Sequence, residues 1–525
     1  MELIRAMTAE YGEYLRDESR LTGAAEYIAF PKSEAEVVEL VKYCAGYSLP
    51  INVQGARTGI AGGATPQGGL ILNLSRMNKI LGLKQDMQTG VYYIRVQPGL
   101  LLSQLRKVLE NKSFDISGWS RESIDTLSGI KAGQLFFSPD PTETTASLGG
   151  MAACNASGAR SLYYGATRRH VQAIRVVLAD GSLTALERGV HKARGRDFAL
   201  PLTDGDNFSG KLPGFDTPDV KDAGYYFRDN MDLADMFIGS QGTLGIITEL
   251  ELALMPAPKL MWGCTAFLPD DQSALRYIRL LRGEKLAGFP QFKHKPAAIE
   301  FFDKNAMKLF LYHRQKTPAF QQLPEPNPGF ECAVYVEFNE QNTEAFWPCL
   351  KDLADLVCVV GGDPDNSWVA NCSRELEKLL FFRHAVSESI NLAIDENKKN
   401  EPNLTMLSAD MATPGDKLEV YDIYKRDLEQ SNLHWVIFGH AGENHFHPNI
   451  LARNMNEMEQ GHRLFAKWAK DISDLGGSIS AEHGAGKIKV KLARIMYGDE
   501  RLQKLHDFKL RLDPLSILGP GNIFA

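Results

Sequence analysis

The feature that most restricts this chain is a run of small side chains, Phe136-Phe-Ser-Pro-Asp-Pro-Thr-Glu-Thr-Thr-Ala-Ser-Leu-Gly-Gly-Met-Ala-Ala-Cys-Asn-Ala-Ser-Gly158. Such residues let the backbone approach a neighbour closely, whether a large planar ligand or another packed element. A first glycine-rich loop precedes the run: Gln54-Gly-Ala-Arg-Thr-Gly-Ile-Ala-Gly-Gly63 follows a short strand predicted at Pro50–Val53. Glycines there can aim successive N–H groups at a diphosphate, or simply make a turn. The loop is not the G-x-G-x-x-G that opens a helix in dinucleotide folds, and it lacks the G-K-[ST] of a P-loop.

A chain of 525 residues is too long for one compact core, and at roughly 150 residues per domain it predicts about two to four domains. Its 58 basic and 65 acidic residues give a net charge of −7, which argues against a nucleic-acid binder. The seven cysteines, Cys44, Cys154, Cys264, Cys332, Cys349, Cys358 and Cys372, contain no C-x-x-C pair and are odd in number. Neither a disulfide framework nor a four-thiolate metal or iron–sulfur site is expected, and a reducing compartment fits best. The N-terminal residues are charged throughout, without the apolar core of a signal peptide, and no stretch of about 20 apolar residues predicts a membrane span. A cytoplasmic location is therefore expected.

The first part of the chain reads as α/β. Helical spacing of Val37, Val38, Leu40 and Val41 predicts a helix over Ser33–Cys44, with Ser33 as N-cap and Glu36 three residues on. Strands are predicted at Leu70–Leu74, Tyr92–Val96 and Ile174–Leu178, the last followed by an Asp180-Gly181 turn, and a helix at Leu101–Leu109. Residues 187–230 are polar and rich in Gly, Pro and Asp, and read as a long loop-like excursion from the core. Met255-Pro-Ala-Pro258 is a boundary, since two prolines break regular structure. Beyond it, a strand at Cys332–Phe338 and helices at Asp270–Arg282, Ser373–Ile394, Asp416–Glu429 and Met455–Asp474 predict an α+β domain.

Taken in order, these segments resemble the flavin domain of the vanillyl-alcohol-oxidase and p-cresol-methylhydroxylase (PCMH) superfamily. The first loop resembles its pyrophosphate loop, flowing into Gly68-Gly-Leu-Ile-Leu-Asn-Leu-Ser-Arg-Met-Asn-Lys79, and Val96-Gln-Pro-Gly99 follows. Ser138-Pro-Asp-Pro141, Ser147-Leu-Gly-Gly150, Asn155-Ala-Ser-Gly158 and Tyr164-Gly165 match the second flavin-contacting stretch, and Phe237–Thr248 the third. The resemblance implies an α+β fold: a PCMH-type FAD-binding domain of two α/β subdomains over 1–255, a cap domain with an antiparallel sheet over 256–500, and a segment over 501–525 that returns to the flavin domain. The cofactor residues it implies are Gln54, Gly55, Ala56, Arg57, Thr58, Gly59, Ile60, Pro98, Gly99, Pro139, Asp140, Ser147, Gly149, Gly150, Asn155, Ser157, Gly158, Gly165, Gly242, Gly245, Ile246, Ile247 and Asn522. Arg57 offers a charge-assisted contact to the pyrophosphate or faces solvent. Gln241 stands where relatives usually carry Glu, and Gly519 where they carry Asn. Without the loop histidine that bonds flavin in some relatives, non-covalent FAD is expected.

A second constellation lies in the C-terminal half. Val436-Ile-Phe-Gly-His440-Ala-Gly-Glu443-Asn-His445-Phe-His447-Pro-Asn-Ile450 reads as strand, tight turn, strand, with His445 and His447 on one face and His440 able to fold back beside them. Ser478-Ile-Ser-Ala-Glu482-His483-Gly-Ala-Gly-Lys487 follows much later. Imidazoles with a carboxylate suit a borderline divalent metal, although any one of these histidines could equally be a core or capping residue.

This half resembles the FAD-linked D-2-hydroxyacid dehydrogenases, which include D-lactate dehydrogenase, glycolate oxidase and D-2-hydroxyglutarate dehydrogenase. The resemblance implies His440, His447 and Glu482 as ligands of a divalent metal (Zn, Mn or Fe), His483 as catalytic base, and Arg383, in Leu379-Leu-Phe-Phe-Arg-His-Ala-Val386, as the catalytic-site group that grips the substrate carboxylate through its bidentate fork. His445 stands where relatives carry Asn or His and is assigned to the substrate with Arg383 and His483. Ala481 replaces a leading glycine. Ala297–Asp303 is read as structural. In Ser408-Ala-Asp-Met-Ala-Thr-Pro414, Ser408 stands where the hydroxyglutarate branch has lysine, which counts against a dicarboxylate.

The implied reaction is oxidation of a D-2-hydroxy acid, D-lactate-like, with the metal as Lewis acid, His483 taking the hydroxyl proton and hydride passing to the flavin. Without a fused iron–sulfur cluster, electrons would go to an external acceptor: an electron-transferring flavoprotein, a quinone or oxygen. The sequence leaves the oligomer open, a homodimer included. Two alternatives stay open: a non-redox relative like alkyl-glycerone-phosphate synthase, and a flavin subunit that only passes electrons within a complex.

Overall fold

The protein's structure, a computed structural model, describes every residue except Met1, Asp219, Lys221, Asp222, Ala223, Pro328, Asp416, Lys417 and Ala525. The chain forms two compact units, one of Met1–Gly158, Gly165–Ala257 and Ser478–Ala525, the other of Ala159–Tyr164 and Pro258–Gly477.

The first unit holds two sheets. A small mixed sheet runs in the order Arg5–Ala6, Tyr27–Ala29, Leu70–Asn73, Ile51–Gln54, with the last three strands parallel. The helix Glu34–Gly46 crosses over from Tyr27–Ala29 to Ile51–Gln54, which flank Leu70–Asn73 on its two sides, and buries Val37, Leu40, Val41 and Cys44. Ser33 Oγ accepts from Glu36 N as expected of an N-cap, whereas the Glu36 carboxylate accepts from Lys32 N rather than from the cap residue. The second sheet is antiparallel, in the order Ile80–Gln85, Tyr92–Val96, Ile246–Pro256, Val171–Val177, Leu183–Glu187, with Leu135–Phe136 also pairing with Ile246–Pro256. Helix Leu102–Asn111 places Leu102, Leu105 and Leu109 in the core beside Ile94, Phe137 and Ile174.

Two expectations about this unit are corrected. Residues 187–230 are not a plain loop, because Asp197–Pro201 and Asn207–Lys211 form an antiparallel hairpin. Its alternating Phe198 and Leu200, with Leu212, Tyr225 and Phe227, enter the core, a period-two signal masked by the polar residues around it. The return of the chain to this unit begins at Ser478, ahead of the expected 501. The physical reason is backbone pairing: Lys487 N and Ile488 N both donate to Ala61 O, at 2.9 and 3.2 Å, and Phe508 of the following helix Val490–Leu512 packs against Phe227.

The second unit is built on an eight-stranded antiparallel sheet in the order Trp368–Ala370, Leu260–Leu268, Cys332–Glu340, Ala298–Phe302, Trp435–His440, His445–Ile450, Leu407–Ser408, with Met411–Ala412 also on His445–Ile450. Helices Asp271–Leu281, Lys304–Lys316, Phe346–Val359, Ser373–Lys398, Glu419–Glu429 and Met455–Asp474 accompany it. The helix predicted from Asp416 thus begins, as described, at Glu419, its first expected residue lying outside the described residues. The short segment Ala159–Tyr164 belongs to this unit: Arg160 grips the buried Glu337 with two bonds of 2.6 and 3.0 Å, and Ser161 Oγ donates to Glu443. Among the described residues, no helix is long and apolar enough to cross a membrane.

Candidate active site

All the residues expected to hold FAD lie in the first unit. Glycines bring their segments together where a side chain could not fit. A Cβ at Gly55 would stand 2.0 Å from Ser147 Oγ, and one at Gly158 would stand 1.9 Å from Asp140 O. Ser147 Oγ accepts from Ala56 N and Gly150 N, both at 3.3 Å, joining the first loop to the small-residue run. Pro98 packs on Gly149, and Gly99 on the carbonyl of Leu74. Beside Gly59, by contrast, the added Cβ would meet nothing within 4 Å.

Several expected contact residues are engaged by the protein itself. Gln54 Nε2 donates to Tyr14 O and Ala64 O at 2.7 and 2.8 Å, so Gln54 braces the loop. Asp140 pairs with Arg106, which also donates to Pro139 O. Asn155, at a left-handed φ of 48°, caps the helix Leu148–Cys154 and accepts from Arg168 N. Gly165 and Gly242 turn with positive φ, while Gly245 leads into Ile246 and Ile247, which are buried in the strand paired with Val177 and Val176. Arg57 stacks on Tyr14 at 4.2 Å and pairs with Glu13.

Three buried polar atoms from three of these segments find no partner among the described residues: Arg57 Nη1, Ser157 Oγ and Gln241 Nε2. Buried polar atoms are normally hydrogen-bonded, so these fit a polar ligand such as FAD. The other end of Gln241 is taken, because its Oε1 accepts from Gly486 N at 2.7 Å. Glu482 and His483 therefore stand on a segment built into the flavin-type unit, with His483 Nε2 3.4 Å from Glu482 Oε1. Asn522 ties the same region, donating to Gly63 O and Gln241 O and accepting from Lys487 Nζ at 2.7 Å. Burial pushes the Lys487 ammonium down to about 8, and Asp17 only partly opposes it. Burial also pushes the Cys154 thiol up to about 11, so it is no ready nucleophile.

His440, His445, His447 and Arg383 lie in the second unit. The strands Trp435–His440 and His445–Ile450 turn through Ala441–Glu443, with Asn444 at φ 53°, and set His440 directly opposite His445. Gly439, at φ 142°, is required at this point: a Cβ there would lie 2.6 Å from His445 O. The three rings are buried, and one ring nitrogen from each lies within 4.8 Å of the others. His440 Nδ1 contacts Glu300 Oε1 at 2.6 Å, and His447 Nδ1 faces Ala409 O at 3.1 Å. A carboxylate and a carbonyl only accept here, so each Nδ1 carries the proton and Nε2 is the electron-pair donor. That donor set fits a divalent metal.

Two groups of this cluster escaped the sequence reading. Glu300, in the segment read as structural, is 1% exposed and also holds Arg383 Nε at 3.2 Å, so it links the expected carboxylate-gripping arginine to an expected metal ligand. A lone carboxylate in the apolar strand Ala298–Phe302 was the available signal. Asp410 Oδ1 stands 2.9 Å from His445 Nε2, with both residues buried.

Residues 25–130 and 127–187 match the FAD binding domain model, and residues 286–523 match that of the FAD linked oxidases, C-terminal domain. The chain is 28% identical over 524 residues to a D-lactate dehydrogenase of Anaerostipes hadrus, covering 97% of this chain and 92% of that protein. It is 27% identical over 506 residues to glycolate oxidase subunit GlcD of Bacillus subtilis (strain 168), covering 94% and 88%. With the mitochondrial D-2-hydroxyglutarate dehydrogenase of Bos taurus it shares 27% over 516 residues, covering 95% and 76%. Among solved structures, p-cresol methylhydroxylase with substrate bound gives a TM-score of 0.66 at 17% identity, covering 99% of this chain and 94% of that one. An alkyldihydroxyacetonephosphate synthase gives 0.58 at 15% identity, covering 99% and 83%. These two similarities establish the fold.

Proposed function

Because residues 25–187 match an FAD binding domain and residues 286–523 the C-terminal domain of FAD linked oxidases, we propose that the chain oxidises a D-2-hydroxy acid of D-lactate type to the 2-oxo acid, with non-covalent FAD and a divalent metal, and passes the electrons to a separate acceptor. When bound, FAD supplies a two-electron acceptor and the metal a Lewis acid.

Arg383 binds the substrate carboxylate through its guanidinium fork and so sets which face of Cα is presented. Its Nε, held by Glu300, keeps the fork in one orientation. His440 and His447, with Glu482 as third ligand, would hold the metal. His483 accepts the hydroxyl proton as general base, with Glu482 beside it to stabilise the imidazolium. The glycine-lined segments, with Arg57, Ser157 and Gln241, would hold the flavin.

The observation that carries this reading is the 2.7 Å bond from Gly486 N to Gln241 Oε1, which supports a base segment fixed to the flavin-binding unit. It favours a dehydrogenase over the non-redox alternative, since the Glu482-His483 pair is a ligand and a base in one place.

Stopped-flow measurement of flavin reduction in His483→Asn tests it. The variant should retain FAD while reduction by substrate slows by about 10²–10⁴-fold, the usual worth of a general base. Reduction at the unaltered rate would end the assignment.

A further inference from the structure

We infer that His445 is a third imidazole ligand of the cation, so that the second unit alone contributes a three-histidine set, with Asp410 as its positioning residue. The inference rests on the metal-assisted reading above and changes the role of His445, which the sequence assigned to the substrate.

The geometry comes from the hairpin. His445 lies directly across from His440, and His447 is two residues on, on the same face. Ring centroids are 4.3 Å apart for His445 and His447, 5.2 Å for His440 and His445, and 5.5 Å for His440 and His447. His445 is fully buried, yet its ring is not packed as an apolar core residue would be: it sits among two other imidazoles and a carboxylate. One ring nitrogen from each of the three buried imidazoles lies within 4.8 Å of the others, a spacing at which a single cation satisfies their electron pairs together.

Glu300 orients the ring of His440 and the Ala409 carbonyl that of His447, and Asp410 Oδ1 lies 2.9 Å from His445 Nε2. This is the pattern by which outer groups aim ligand histidines. Ser408 to Thr413 thereby gains a function, since Asp410 and the Ala409 carbonyl are adjacent residues that serve neighbouring histidines. A third imidazole in place of an oxygen donor shifts the preference away from Mn and toward Zn, Fe or Co.

X-ray absorption at the zinc edge of the full chain, loaded with FAD and Zn²⁺, counts the imidazoles. The wild type should show three and His445→Asn two. Asp410→Asn should keep three but bind Zn²⁺ about 10–100-fold more weakly in competition with a chromophoric chelator. Two imidazoles in the wild type would overturn the inference even if the His445→Asn protein failed to fold, as would a wild type that binds no Zn²⁺. If the wild type shows two yet substrate reduces its flavin, only this inference fails. If it shows three and no 2-hydroxy acid reduces the flavin, this inference stands and the functional reading falls.

Discussion

Glu300 shows what a single residue can decide. One oxygen meets His440 and the other Arg383, so one buried carboxylate orients two side chains of different expected duty. The sequence made both partners visible through their motifs, but Glu300 only as a lone carboxylate in an apolar strand, a signal that does not say which side chains it meets. Asp410 was hidden for the same reason, its partner lying 35 positions along the chain. Lys487 makes a measurable case at this scale. Its ammonium is pushed down to about 8 by burial, whereas an unfolded lysine titrates near 10.4. Between those values the unfolded chain binds more protons, so this residue's contribution to stability rises with pH across that window and is lost as pH falls through 8. Without added FAD, the melting temperature of the wild type relative to Lys487→Met should rise by about 2–4 °C from pH 7.5 to pH 9.5. A constant difference would mean that Lys487 does not lose its proton in this window.

The elements were the most legible part of the chain. Helix Met455–Asp474 and strand Tyr92–Val96 stand where their periodicity places them, and the strand–turn–strand around His440 has the predicted form. The hairpin Asp197–Pro201 with Asn207–Lys211 was not legible, because two apolar residues in a polar stretch are too few to establish a period. In the histidine hairpin, the backbone of Gly439 constrains the element more than any side chain does. Gly439→Ala must adopt a φ near 142° against the carbonyl of His445, a strain of about 1–3 kcal/mol or more. The variant should melt at a lower temperature and lose bound cation. Gly415→Ala, whose Cβ would meet nothing within 4 Å, should do neither. Equal behaviour of the two variants would remove the constraint.

At the scale of the molecule, the order of residues along the chain conceals the order in space. The segment Ala159–Tyr164 leaves the first unit to join the second, and Ser478–Ala525 comes back. Motif matching located the returning C-terminal segment, but not the point of return, which is set by backbone bonds to Ala61 and Gln241 rather than by composition. The consequence is that Glu482 and His483 lie in the unit that carries the glycine-lined segments. The central claim, a flavin reduced by a D-2-hydroxy acid with the help of a cation, is tested most directly by anaerobic titration of the FAD- and metal-loaded chain with D- and L-lactate and a panel of related acids. The flavin absorbance should bleach with a D-2-hydroxy acid and not with its L-enantiomer, persist after chelation of the metal, and bleach again when the metal is restored. Failure of every D-2-hydroxy acid to bleach it, or undiminished bleaching after chelation, would contradict the account.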